Sequence, residues 1–122
     1  MKVKLIDIVS ARESINRLIK SNLPAKKSYL ISKMFKPVIE EINTFEKKRN
    51  DLVLKYGEQM GEDKAQYAVK QENMKQYTDE VKDLLDIDLE YDVEPINLED
   101  LLNDDVKLTA EDFVLLDKFI KE

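Results

Sequence analysis

The fold of this chain is decided by residues 31–56, ISKMFKPVIEEINTFEKKRNDLVLKY. Apolar residues recur there at helical spacings: Ile31, Phe35, Val38, Ile42, Phe45, Leu52 and Tyr56. This spacing places them on one face of an amphipathic α-helix. We predict one helix from Ala25 to Tyr56, about 48 Å long at about 1.5 Å per residue. Gly57 should end it in the left-handed conformation that is common at helix ends.

Pro37 lies inside this predicted helix. Proline has no backbone N–H to donate, and its ring crowds the carbonyl of Lys33. Because the apolar spacing continues past Pro37, we favour a kinked but continuous helix. The alternative is a break, with a new helix that begins at Pro37.

The other residues predict elements that cover the long helix. Before it, one apolar face is shared by Ile8, Ala11, Ile15, Leu18 and Ile19. Pro24 forces a turn after this first helix, so residues 1–57 predict an antiparallel helical hairpin. Residues 58–122 predict a β-hairpin with its turn at 61–63, a third helix from Asn73, an acidic strand and a terminal helix capped by Thr109 with Asp112.

The acidic strand is the clearest β pattern in the chain. Apolar residues alternate with carboxylates from Asp86 to Glu94, and Pro95 follows. Because side chains alternate with a period of two residues, one face of the strand should pack on the helices. The other face should meet solvent or a basic partner. The outer face is a candidate interaction surface formed by Asp86, Asp88, Glu90, Asp92 and Glu94.

The length of 122 residues favours a single domain over 1–122. The predicted fold class is mostly α with minor β. It comprises an antiparallel helical hairpin with a long kinked second helix, a third helix, a small two- to three-stranded sheet and a C-terminal helix.

The apolar seam of the long helix has two interpretations. It is formed by Phe35, Val38, Ile42, Phe45 and Leu52. In the favoured one, these side chains form intramolecular core beneath the other helices. In the alternative, the middle of the helix stays uncovered and forms an apolar docking surface or a homodimer contact.

Charge is divided unevenly along the chain. Residues 1–50 contain 12 basic and 5 acidic residues, whereas residues 51–122 contain 8 and 21. The favoured explanation is that basic and acidic elements lie against each other in the fold or across a dimer, and the alternative is a polar interaction surface. Because the chain is acidic overall and its lysines are not interleaved with aromatic residues, direct nucleic-acid binding is not expected.

Catalytic, cofactor and metal sites are not expected either. The chain has no Cys, no His and only two Gly, so it lacks thiolate and imidazole groups and cannot build a glycine-rich phosphate loop. Asp86, Asp88 and Glu90 have the spacing of a calcium loop, but Tyr91 occupies the position where that loop needs glycine. No apolar run reaches the roughly 20 residues that span a membrane, and no secretory signal is expected, which favours the cytoplasm.

Several boundary motifs resemble a known group of proteins. These are Leu23-Pro24-Ala25-Lys26 with Ser28-Tyr29, then Lys55-Tyr56-Gly57, and Leu108-Thr109-Ala110-Glu111 in the closing helix. The pattern resembles small accessory proteins of tailed phages and prophages of Gram-positive bacteria. That resemblance implies a phage-encoded protein that acts in the bacterial host cytoplasm. Since no catalytic chemistry is expected from the residues, we predict a non-enzymatic protein that binds a host or phage protein. Alternatives are an acidic inhibitor that mimics nucleic acid and blocks a host defence or replication protein, and a virion assembly chaperone.

Overall fold

The predicted long helix, α3, spans Ala25–Tyr56 in the computed structural model, which describes residues 1–60, 66–103 and 105–122. The fold is mostly α with minor β, as predicted. The other helices are α1 (Leu5–Ser10), α2 (Arg12–Ile19), α4 (Met74–Leu85) and α5 (Ala110–Leu115). The strands are β1 (Lys2–Lys4), β2 (Gly57–Met60), β3 (Gln66–Val69), β4 (Asp88–Glu90), β5 (Ile96–Asn97) and β6 (Ile120–Lys121).

Helix α3 continues through Pro37 without interruption. Pro37 is on an exposed face of the helix, whereas Val38 beside it is buried. The carbonyl of Lys33 has no helical donor, because Pro37 lacks an N–H. Since this side of the helix is exposed, water can donate to that carbonyl instead. The continuous helix is confirmed, and the alternative of a new helix at Pro37 is wrong.

The N-terminal arm of the hairpin consists of two helices instead of the single helix predicted. Ala11 separates α1 from α2 and has φ −89° and ψ 2°. Ile8, Ala11, Ile15 and Leu18 are nevertheless all buried, so the break leaves the apolar face intact. Arg12 at the start of α2 forms an ion pair with Glu46 in the second half of α3, as an antiparallel arrangement requires.

The far end of α3 is held by a β-hairpin and by α4. Strands β2 and β3 pair antiparallel, which confirms the predicted hairpin; its predicted turn at 61–63 lies outside the described residues. The Asn73 side chain donates from Nδ2 to the carbonyl oxygen of Tyr56 at 3.2 Å. The same carbonyl also accepts from the Lys70 N–H at 3.1 Å. The Asn73 side chain therefore adds a second bond at the end of α3 and does not cap α4.

The predicted minor sheet is present as three separate strand pairs among the described residues. β1 pairs antiparallel with β4, placing Val3 opposite Leu89. β5 pairs in parallel with β6, placing Ile96 opposite Ile120. These two pairs link both ends of the chain to the segment 88–97.

The C-terminal segment closes the core. The predicted final helix is shorter than expected: α5 ends at Leu115 and is followed by a 3-10 turn, Asp117–Phe119, and then by β6. This change of backbone buries Leu116 and Phe119 while Ile120 enters the strand pair. The rings of Phe119 and Phe35 lie 5.2 Å apart between centroids, tilted by 59°.

Gly57 ends α3, but the predicted left-handed conformation is wrong. Its φ is −106° and its ψ is 179°, so the chain passes directly from helix to extended strand. A Cβ atom at this position would collide with the carbonyl oxygen of Val53 and lie 2.8 Å from that of Ala68. Close approach of backbone, rather than a positive φ, therefore requires glycine here.

The substitution Gly57→Ala should destabilise the protein by about 2–3 kcal/mol, because both colliding atoms are backbone and cannot rotate away. Urea denaturation measures the change, with Glu58→Ala at the neighbouring exposed residue as a control. A loss below about 0.5 kcal/mol, which is ordinary for a surface position, would contradict the close packing described here.

Candidate functional site

An apolar groove of about 450 Å³ lies between the first turns of α3 and residues 93–97. Ile31 and Met34 from the helix and Ile96 from β5 line it and are buried. Leu30 also lines the groove, yet 54% of its surface is exposed. The groove thus combines a buried apolar floor with an uncovered apolar side chain.

The sequence builds this groove from a second apolar stripe on α3. The stripe consists of Leu30, Ile31 and Met34, and Lys27 precedes it on the same face. Their spacings of three and four residues place all four on one side of the first turns of α3. Val93 and Pro95 form the opposite wall, which the parallel pairing of β5 with β6 holds in place.

Most charged groups at the groove are already paired. Lys27 Nζ lies 2.5 Å from Asp100 Oδ1, and Lys121 Nζ lies 3.3 Å from Glu94 Oε2. Lys33 also lines the groove but forms no ion pair with any described residue. The groove therefore offers a ligand mainly apolar contacts, next to the unpaired ammonium group of Lys33.

A basic ridge borders the groove along the same part of α3. We define it as the exposed residues Lys26, Tyr29, Leu30, Lys33 and Lys36. Their spacings of three and four keep them on one side of the helix. Tyr29 is 66% exposed, so an aromatic ring stands among the lysines.

The acidic strand is only partly regular. Its regular part is Asp88–Glu90, so the predicted strand is too long at both ends. Asp86 is the C-cap residue that follows α4, and β1 offers only three residues for pairing. The predicted facing holds for Leu89, Tyr91 and Val93, which are half-buried, but Ile87 is 43% exposed.

The five predicted surface acids, Asp86, Asp88, Glu90, Asp92 and Glu94, are all exposed. Lys4 Nζ contacts Asp86 Oδ1 at 3.0 Å and Asp88 Oδ1 at 3.2 Å. Hydrogen bonds to Asp86 and then to Asp88 raise the pKa of Lys4. The Lys4 contacts confirm that the basic N-terminal and the acidic C-terminal parts of the chain meet at this face. Together with the Lys121–Glu94 pair, they weaken its negative field.

The predicted seam residues differ in their burial. Phe35, Val38, Ile42 and Phe45 are buried in the protein's own core, together with residues from α1, α2 and the C-terminal segment. They are therefore covered in this fold and offer no docking or dimer surface. Leu52, further along α3, is half-buried.

No family model, curated protein or solved structure matches this chain. The resemblance to phage accessory proteins stays a prediction. Within the described ranges, no cluster of three or more acidic side chains is arranged to hold a metal ion. Over the same ranges, no helix combines the length and apolar character that a membrane span needs.

A buried ionic cluster between α2 and α5 was not predicted from the sequence. Asp112 and Ser14 are fully buried, and Ser14 Oγ donates to Asp112 Oδ1 at 2.7 Å. Arg17 Nη2 donates to the same oxygen at 2.5 Å, and the Thr109 N–H donates to Oδ2 at 2.9 Å. Asp112 was predicted only as part of the capping box, which the structure confirms.

This cluster has a structural role. The Arg17 guanidinium holds the pKa of Asp112 well below its usual range, and bonds from Thr109 and Ser14 help it to outweigh desolvation. Both carboxylate oxygens are occupied by protein donors, so no free base or nucleophile is left. The helical spacing of Ser14 and Arg17 shows that they share one face of α2, but not that Asp112 lies opposite them.

The substitution Asp112→Ala should lower the free energy of unfolding at pH 7 by about 3 kcal/mol, the low end for a buried ion pair, because Arg17 is partly exposed. Since folding lowers the pKa of Asp112, its contribution is complete above the unfolded pKa of about 3.9 and declines as pH falls below it. Urea denaturation should show a constant wild-type advantage from neutral pH to about pH 5, and an advantage that shrinks from there towards about pH 3. Glu111→Ala, at the exposed neighbour, is the control; an advantage independent of pH would contradict a charged Asp112.

Proposed function

We propose that this protein is a non-enzymatic phage accessory protein that binds a host or phage protein in the host cytoplasm through the groove beside α3. The observation that carries the proposal is the groove itself, with its buried floor and its exposed Leu30. Binding pockets typically have volumes of roughly 300–1,000 Å³ and mostly apolar linings, and the groove fits both criteria.

The chemistry of the lining supports binding rather than catalysis. Two acids and one lysine at the groove are held in ion pairs, and the rest of the lining is aliphatic apart from Asn97 and Lys33. A general acid–base pair needs groups that are free to exchange protons with a substrate. An apolar side chain from a partner needs only a pocket that excludes water around it.

The groove also replaces the seam as the apolar docking surface. Phe35 and Phe45, the aromatic seam residues, lie under other parts of the chain, whereas Leu30 and Tyr29 face outward on the same helix. An exposed apolar site beside polar residues is typical of a protein interaction surface.

Cross-linking from position 30 tests this proposal. A photoreactive amino acid at position 30 should form a discrete protein adduct in Gram-positive cells infected by a tailed phage. The matched control is position 54, because Leu54 lies on the same helix and is 53% exposed, as against 54% for Leu30. Mass spectrometry identifies the adduct; a virion structural protein would indicate an assembly chaperone.

The substitution Leu30→Glu should remove binding of that partner by placing a charge in the apolar contact, while Leu54→Glu leaves binding intact. Both variants should stay folded because both side chains are largely exposed. Equal adducts at positions 30 and 54, or binding that survives Leu30→Glu, would contradict a role for the groove.

An acidic inhibitor is the second candidate. The outward display of all five surface acids supports it, since such a row can imitate phosphates before a nucleic-acid-binding protein. The neighbouring lysines argue against it, because Lys4 and Lys121 offset part of the charge.

If this candidate is correct, the triple change Asp88→Asn, Glu90→Gln and Asp92→Asn should weaken partner binding, and wild-type binding should fall steeply between about 50 and 300 mM salt. A control with equal loss of charge is Asp51→Asn, Glu72→Gln and Glu111→Gln, all at exposed positions. Titration calorimetry with the identified partner measures both effects. Equal affinities for the two triple variants would rule out the acidic face.

A further inference from the structure

We infer that the partner segment bound by the groove is acidic as well as apolar, with carboxylates that meet the basic ridge on either side of an apolar anchor. This inference rests on the proposed function and specifies its ligand. It commits the groove to an acidic segment of another protein.

The lysines of the ridge are unpaired in the part of the chain that the structure describes. Lys26, Lys33 and Lys36 form no ion pair with any residue in 1–60, 66–103 and 105–122. The lysines that do pair across the fold with described acids are Lys4, Lys27, Lys55, Lys118 and Lys121. From Ala25 to Ile39, α3 contains no acidic residue. The ridge therefore has a local positive field that favours carboxylates.

The apolar part of the surface lies within this field. Leu30 belongs to both the ridge and the lining of the groove, and Lys33 does so as well. Tyr29 adds an exposed ring between Lys26 and Lys33. A bound segment thus meets apolar and cationic groups over the same turns of α3.

The length of the ridge defines the size of the bound segment. From Lys26 to Lys36 the helix advances by roughly 15 Å at about 1.5 Å per residue. About ten residues of an amphipathic helix, or about five of an extended strand, cover that distance. Such a segment can place an apolar residue at Leu30 and acids near Lys26 and Lys33.

Other occupants fit the surface less completely. A nucleic acid would pair its phosphates with the lysines but would leave the aliphatic floor of Ile31 and Met34 without a matching group. A second copy of this chain has acids to offer, so the oligomeric state of the purified protein is part of the test.

The probe is a displayed library of random peptides of about 16 residues, selected on the immobilised full-length protein, since this length spans the ridge in either conformation. Enriched peptides should carry both acidic and apolar residues, with more acids than the unselected library. The best of them is then titrated into variants of the protein.

The triple change Lys26→Gln, Lys33→Gln and Lys36→Gln should weaken binding of that peptide about tenfold, as the loss of three exposed charge pairs predicts. The matched control is Lys47→Gln, Lys48→Gln and Arg49→Gln, three exposed cations further along α3, which should change binding less than about twofold. Leu30→Arg adds positive charge but removes the apolar contact, and it should also weaken binding. Stronger peptide binding by Leu30→Arg would mean that charge attraction alone binds the peptide, and it would overturn the apolar anchor at Leu30.

The failures of the two proposals are distinguishable. If the enriched peptides are apolar but neutral or basic, or if no peptide is enriched, the inference of an acidic ligand is wrong. The cross-link from position 30 decides separately whether the groove binds a protein in cells. Sedimentation that shows a dimer lost on Leu30→Arg would assign the groove to a second copy and overturn the inference.

Discussion

The structure depends on the burial of one face of α3 by segments from both ends of the chain. Phe35 is fully buried, and its ring contacts Phe119. Helices α1 and α2 cover the neighbouring part of the same face with Ile8 and Ile15. Because no single neighbour is as long as α3, several short elements share its apolar surface. This cover stops at Leu30, which is exposed beside the buried Ile31 and Met34.

Electrostatic contacts follow the same organisation. The basic N-terminal part of the chain reaches the acidic C-terminal part through Lys4 with Asp86 and Asp88, Lys27 with Asp100, and Arg17 with Asp112. Arg17 with Asp112 is the contact with a fully buried partner, so removal of that partner leaves more unsatisfied charge than at the exposed pairs. Three of the basic residues without an ion pair to a described residue, Lys26, Lys33 and Lys36, lie on the first turns of α3 beside the groove. They link the charge pattern of the sequence to the proposed site.

Local sequence patterns predicted the elements but not their long-range partners. The helical period of residues 31–56 and the Thr109–Asp112 capping box both act within a few residues, and both are confirmed. The pairing of Val3 with Leu89 depends on two three-residue strands far apart in sequence, and period alone does not specify it. The groove was missed because Leu30 and Met34 lie beside the main seam. Its signal was the apolar stripe of Leu30, Ile31 and Met34, which widens the seam at the start of α3.

The buried contact of Asp112 also has a kinetic consequence. Ser14 and Arg17 reach Asp112 across 98 and 95 positions of the sequence. A helical hairpin such as α2 with α3 can form early from neighbouring residues, but this core is completed only when the distant C-terminal segment arrives. Loop closure of that length has an entropic cost that must be met before the contact is gained. High contact order slows folding, so this mostly helical protein should refold more slowly than a simple helical bundle of its size.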